Sequence, residues 1–160
     1  MDYNSFDDNA RVWVYQAGRV LTDAEAADIK KDAIAFVISW KAHGAPLKAT
    51  AEIFYNLFLV LFVDEGDAAA SGCSVDSSVR FIQDLEKRYN ITLLDRMNVA
   101  FKNGSEVQML RLPAFKEELK KGEIALDATV FNNMVTSLSE FKKGWEVSVK
   151  ESWLGQFVVS

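Results

Sequence analysis

The chain has 160 residues, 49% of them apolar and 26% charged, with 8 glycines and 2 prolines. That is enough chain to bury one well-packed core, so a single domain over 1–160 is expected, and the composition excludes disordered, collagen-like and linker-rich classes. The 23 acidic residues against 18 Lys and Arg leave a net charge of -5, the wrong sign for a surface that neutralises phosphates, so no nucleic-acid partner is expected.

The first periodic segment, Val12-Trp13-Val14-Tyr15, is β-branched and aromatic, ends before Gly18, and reads as a strand. Thr22-Asp23-Ala24-Glu25 is a capping-box sequence; Ala26, Ile29, Ala33, Phe36, Val37 and Trp40 then recur at helical spacing until Gly44 offers a left-handed stop. Beyond Pro46, the alternation Leu47, Ala49, Ala51, Ile53, Tyr55 and the continuous apolar run Phe58 to Val63 predict two strands joined at Asn56, the second more deeply buried. Asp64 to Gly72 is small and polar and reads as a loop. Ser74 to Asp76 supplies capping side chains, and Val79, Ile82, Leu85 and Tyr89 form the apolar stripe of a second helix starting just past Cys73.

Ile91 to Leu94 and Asn98 to Phe101 read as strands, and Asn103-Gly104 before Val107 to Leu112 is a hairpin signal, because both central residues of a type I′ turn need positive φ. Pro113 and Gly122 bracket a short helix over Ala114 to Lys121. Val130, Phe131, Met134, Val135, Leu138 and Phe141 have helical spacing, yet Thr129-Val130-Phe131 is locally strand-like and Asn132-Asn133 favours a turn, so 123–137 stays ambiguous. Ser137 to Glu140 is a further capping-box sequence, and Trp145, Val147, Trp153 and Phe157 give the tail apolar surface with which to dock. The order strand, helix, strand, strand, helix, strand is the ferredoxin-like βαββαβ pattern, here followed by an extra hairpin and C-terminal helices. The expected class is α+β, a mostly antiparallel sheet with helices packed on one face.

Chemistry concentrates between Phe62 and Ser78, which holds four acids among short side chains, four serines and the chain's one thiol. If Cys73 stands at a helix N-terminus, unpaired amides and the helix dipole favour its thiolate; alternatively it is one more buried small apolar residue. His43 is either the base of a Cys-His pair or part of a helix C-cap. Ser71, Gly72, Ser74, Asp76 and Ser77, with Asp64 and Trp40 alongside, form a candidate ligand-binding turn, in which amides and hydroxyls take a small anion. Asp64, Glu65 and Asp67 match no calcium-loop spacing and read as solvated acids, so no metal is expected, and no cofactor either. Gly66 and Gly72 enclose five residues and Cys73 stands where a phosphate-binding loop needs lysine, so the segment is not a P-loop.

The single cysteine and single histidine exclude an internal disulfide and thiolate- or His-rich metal sites. The longest apolar run, Leu57 to Val63, falls short of the roughly 20 residues that span a bilayer, so no membrane insertion is expected. The acidic start MDYNSFDDNARV lacks the order of a secretory signal, and a cytoplasmic location follows as the expectation.

Several segments together carry a resemblance: Trp40-x-x-His43-Gly44, Phe58 to Glu65, Ser71-Gly72-Cys73-Ser74-x-Asp76-Ser77-Ser78, Val130-Phe131-Asn132-Asn133 and Trp145-Glu146-Val147. Over about Val12 to Phe157 the chain resembles a family of short, uncharacterised bacterial proteins often labelled "ABC transporter ATPase". The chain has no Walker A lysine and no LSGGQ-like segment, and the resemblance implies no substrate and no residue roles. The leading expectation is a domain that binds a small molecule or a protein partner at the Asp64 to Ser78 turn. One alternative is a thiol-dependent hydrolase or transferase with Cys73 as nucleophile and His43 as base. The other is a structural homodimer paired through the hairpin edge around Val99 to Leu110.

Overall fold

The computed structural model describes residues 2–42, 45–64 and 72–157, with the backbone alone at 42, 72 and 73. In chain order the elements are β1 (Arg11–Gln16), α1 (Asp23–Ser39), β2 (Lys41–Ala42), β3 (Ala45–Pro46), β4 (Lys48–Phe54), β5 (Phe58–Asp64), α2 (Gly72–Tyr89), β6 (Asn98–Asn103), β7 (Glu106–Arg111), α3 (Leu112–Lys120), β8 (Thr129–Phe131), α4 (Leu138–Gly144) and β9 (Glu146–Ser148). Short 3-10 turns at Val149–Glu151 and Trp153–Phe157 follow.

The class is α+β, and its strands make two antiparallel sheets, β1-β5-β4 and β7-β6-β8-β9, beside the small β2-β3 ribbon. The βαββαβ element order is present, but its last strand, β6, starts the second sheet. The reason lies at the outer edge of β1: the Val12 amide donates to the Thr136 carbonyl and the Leu138 amide to the Ala10 carbonyl, so the edge that could have taken another strand is occupied.

β5 is the buried spine. Phe58 through Val63 are all buried, because strand partners lie on both sides and both faces are covered. On one face Trp13 packs on Trp40, Trp40 on Phe36 of α1, and Phe36 stacks on Phe81 of α2 at 4.4 Å. On the other, Phe58 and Phe62 meet Trp145 and Phe141, which α4 and its C-cap supply. Thus α1 and α2 cover one face as expected, and α4 closes the opposite one.

The α1 capping box forms: the Glu25 amide donates to Thr22 Oγ1 and the Thr22 amide to Glu25 Oε1. The helix stops at Ser39, short of Gly44, because Trp40 leaves it in an extended conformation; its indole N–H donates to the Ser74 carbonyl at 2.9 Å and its carbonyl accepts from Leu47. His43 and Gly44 lie outside the described residues. Tyr55 and Asn56, both at positive φ, turn β4 into β5. The Tyr55 hydroxyl donates to Glu146 Oε2 and Lys102 lies over its ring, contacts that offset a backbone conformation unfavourable to tyrosine.

Two further expectations need correction, and one open question is resolved. Ile91 to Leu94 forms no strand: Asn90 ends α2 at positive φ, and the Leu93 and Leu94 amides donate to Glu86 Oε2 instead of to a sheet. The β6-β7 turn centres on Gly104-Ser105, since Asn103 pairs with Glu106; positive φ at Gly104 alone is the type II′ pattern. The ambiguity at 129–131 resolves as strand β8, because Val130 pairs with both Phe101 and Val147.

Candidate functional site

The residues singled out by chemistry fall into two groups. Trp40 and Ser74 do come together, but as packing: both are buried and the indole donor is satisfied by the Ser74 carbonyl. Ser78 donates to the Val75 carbonyl within its own helix. Asp64 ends β5 with the Lys48 ammonium at 3.5 Å and the Asp7 amide at 3.5 Å, while Asp76 is exposed on α2 and Ser77 is half-buried beside it. The backbone of Gly72 and Cys73 opens α2, whereas the Cys73 side chain, His43 and Ser71 lie outside the described residues, and so does the Cys73 to His43 separation. Among the described residues, no group of three or more His, Cys, Asp and Glu is placed to hold a metal ion. No described helix is long and apolar enough to cross a membrane.

A different place gathers polar groups in a concave setting. Where the end of β1 faces the start of β6, a cleft of about 660 Å³ opens between the two sheets. Val14, Leu93, Val99, Ala100, Phe131 and Leu154 give it apolar walls, and Gln16, Asn98 and Asn133 give it a polar floor. A second hollow, about 910 Å³, runs along the β6-β7 hairpin toward Glu118 and Glu123, but it holds no comparable network.

The floor is a directional chain of hydrogen bonds. Trp145 Nε1–H donates to Asn133 Oδ1 at 3.1 Å, Asn133 Nδ2–H to Gln16 Oε1 at 2.9 Å, and Gln16 Nε2–H to the Asn98 carbonyl at 3.1 Å. An indole can only donate and a backbone carbonyl can only accept, so the two ends force the orientation of both amides between them. Because Trp145 and Gln16 are buried, each member is costly to leave unpaired. The chain ties both sheets and the β8-α4 connection into one rigid floor.

The rim is charged and apolar. The Met97 amide and then the Arg111 guanidinium hold the Asp95 carboxyl below its usual range. Arg96 reaches Met134 Sδ at 3.6 Å, linking the two loops that line the cleft. Leu94, Met134 and Trp153 expose large apolar surface on the same rim.

Sequence reasoning missed Gln16, Asn98, Asn133 and Arg96, since isolated amides and one arginine carry no motif. A partial signal existed: Asn133 and Trp145 sit in two of the segments that carry the family resemblance. Comparison of the chain with family models, curated proteins and solved structures gives no match.

Proposed function

We propose that the chain is a small-molecule-binding domain and that its site is the cleft between the two sheets rather than the Asp64 to Ser78 turn. The observation that carries this reading is the amide chain under the cleft. Ligand sites combine apolar walls with a few polar groups held at fixed orientation, and Gln16 and Asn133 have theirs set from both ends. The reading does not extend to ATP hydrolysis, for which the entry to α2 offers no lysine. The test is a fragment panel followed by amide and indole chemical shifts in two-dimensional NMR. Hits are expected to move the side-chain amides of Asn98 and Asn133 and the Trp153 indole; a panel whose hits map to other surfaces, or that yields none, refutes the proposal.

A second reading rests on the edge of β7. The Leu112 amide donates to the Met97 carbonyl, and the register then turns the backbone groups of Val107, Met109 and Arg111 away from β6, toward an edge with no strand partner among the described residues. Such an edge suits pairing with a second copy. Light scattering after size exclusion is expected to give the dimer mass, and a monomer at all concentrations would remove this reading.

A further inference from the structure

We infer that the cleft takes a small organic monoanion, its charge held at Arg96 and its aromatic or branched apolar body laid against Trp153; the inference rests on the cleft being the ligand site. Among the described residues Arg96 makes no ion pair, and its one side-chain hydrogen bond goes to the Met134 sulfur, a weak acceptor. The adjacent Arg111 is already engaged, by Asp95 at 2.7 Å and by Asn98 Oδ1 at 3.3 Å. Asp95 is therefore neutralised within the protein, and Arg96 is left as the guanidinium lining the cleft with no carboxylate on its donor fork among the described residues.

The charge count limits the anion. Glu151 lines the same cleft and the chain carries -5 overall, so a polyphosphate would meet repulsion with one guanidinium to offset it. A carboxylate or sulfonate presents two coplanar or near-coplanar oxygens and a single charge, which one guanidinium can match in a bidentate contact. The body of the ligand is read from the rim. Trp153 is 51%, Met134 67% and Leu94 44% exposed, and all three belong to this one opening. A flat apolar group seated there removes their surface from water. On the floor, Asn133 uses one of its two amide hydrogens on Gln16, and the second has no partner among the described residues, leaving one donor for a neutral polar group of the ligand.

The experiment compares two dyes of the same shape, anilinonaphthalene sulfonate and neutral phenylnaphthylamine, binding to the intact chain and to two surface variants. Arg96→Gln is expected to weaken the sulfonate about tenfold and leave the neutral dye unchanged, as loss of one charge-assisted contact implies. Trp153→Ala is expected to weaken both dyes. Naphthoate is expected to displace the sulfonate, and inorganic phosphate at the same concentration is not. If Arg96→Gln leaves the sulfonate unaffected while Trp153→Ala weakens both dyes, or if phosphate displaces as well as naphthoate does, the monoanion assignment is overturned and the cleft reading stands. If neither variant changes the binding of either dye, both are overturned. Arg96 and Trp153 are exposed, so melting curves matching the parent confirm that the variants fold.

Discussion

Replacing Asn133 by aspartate turns the one donor in the middle of the amide chain into an acceptor. The carboxylate still accepts from Trp145 Nε1–H, but it has no hydrogen to give to Gln16 Oε1, at present 2.9 Å away. Flipping Gln16 does not help, because its oxygen would then face the Asn98 carbonyl at about the 3.1 Å its Nε2 now keeps. The variant thus loses one hydrogen bond and leaves two acceptors opposed, for about 2–4 kcal/mol in all. In a chain of this length that lowers the melting temperature by about 5–15 °C. The defect depends on pH in a defined direction. Protonated, the introduced carboxyl donates to Gln16 as the amide does, so its folded pKa lies above the unfolded value of about 3.9. The donation is present below the unfolded pKa and is lost as pH rises through the folded one, so the gap to the parent widens with pH and narrows in acid. Thermal unfolding followed by circular dichroism, for both proteins at each pH, reads this out. A variant that melts within about one degree of the parent at neutral pH refutes the directional chain.

Further expectations are more local. In Gly155→Ala the new Cβ would sit 2.8 Å from the Lys150 carbonyl oxygen, a backbone atom, so the turn carrying Trp153 and Leu154 must shift; the free energy of unfolding in urea is expected to fall by about 1–3 kcal/mol with far-ultraviolet dichroism unchanged, and the sulfonate dye to bind less tightly. Asn90 closes α2 at a φ of 52°, where glycine carries no Cβ penalty. Asn90→Gly should therefore raise stability by a few tenths of a kcal/mol and Asn90→Ala lower it, and equal urea midpoints for the two would contradict this. The Arg19 guanidinium, then the Thr22 amide, hold the Glu25 carboxyl down to about 2, against its ordinary 4.5. Its folded value lies below its unfolded one, so its stabilisation is present above the unfolded pKa and is lost as pH falls through the folded one. Glu25→Gln should flatten the acid limb of the stability curve, and a limb unchanged in slope would argue against the pairing. Phe62 is fully buried and stacks on Tyr3 at 4.3 Å; Phe62→Ala should cost about 3–5 kcal/mol in urea unfolding, and a loss under about 1 kcal/mol would mean that the site collapses around the gap.

What the amino-acid order settled unaided was local. The capping box at Thr22 and Glu25, the turn at Asn56 and the hairpin near Gly104 all depend on residues within a few positions of one another. Their hydrogen bonds and φ requirements exist before any long-range contact, so pattern suffices to find them. Tertiary contacts decided the rest. Trp40 leaves its helix because the Ser74 carbonyl is waiting for its indole, and Thr129–Phe131 becomes a strand because β6 and β9 flank it. β6 starts a separate sheet because Thr136 and Leu138 already hold the edge of β1. The candidate site moved for the same reason. Cys73 and His43 drew notice because a rare reactive side chain is visible in any sequence. An amide has no chemistry of its own until a partner fixes which end faces where, and Gln16 meets Asn133, 117 positions along the chain, and Asn98, 82 positions along it, only when the two sheets close on each other.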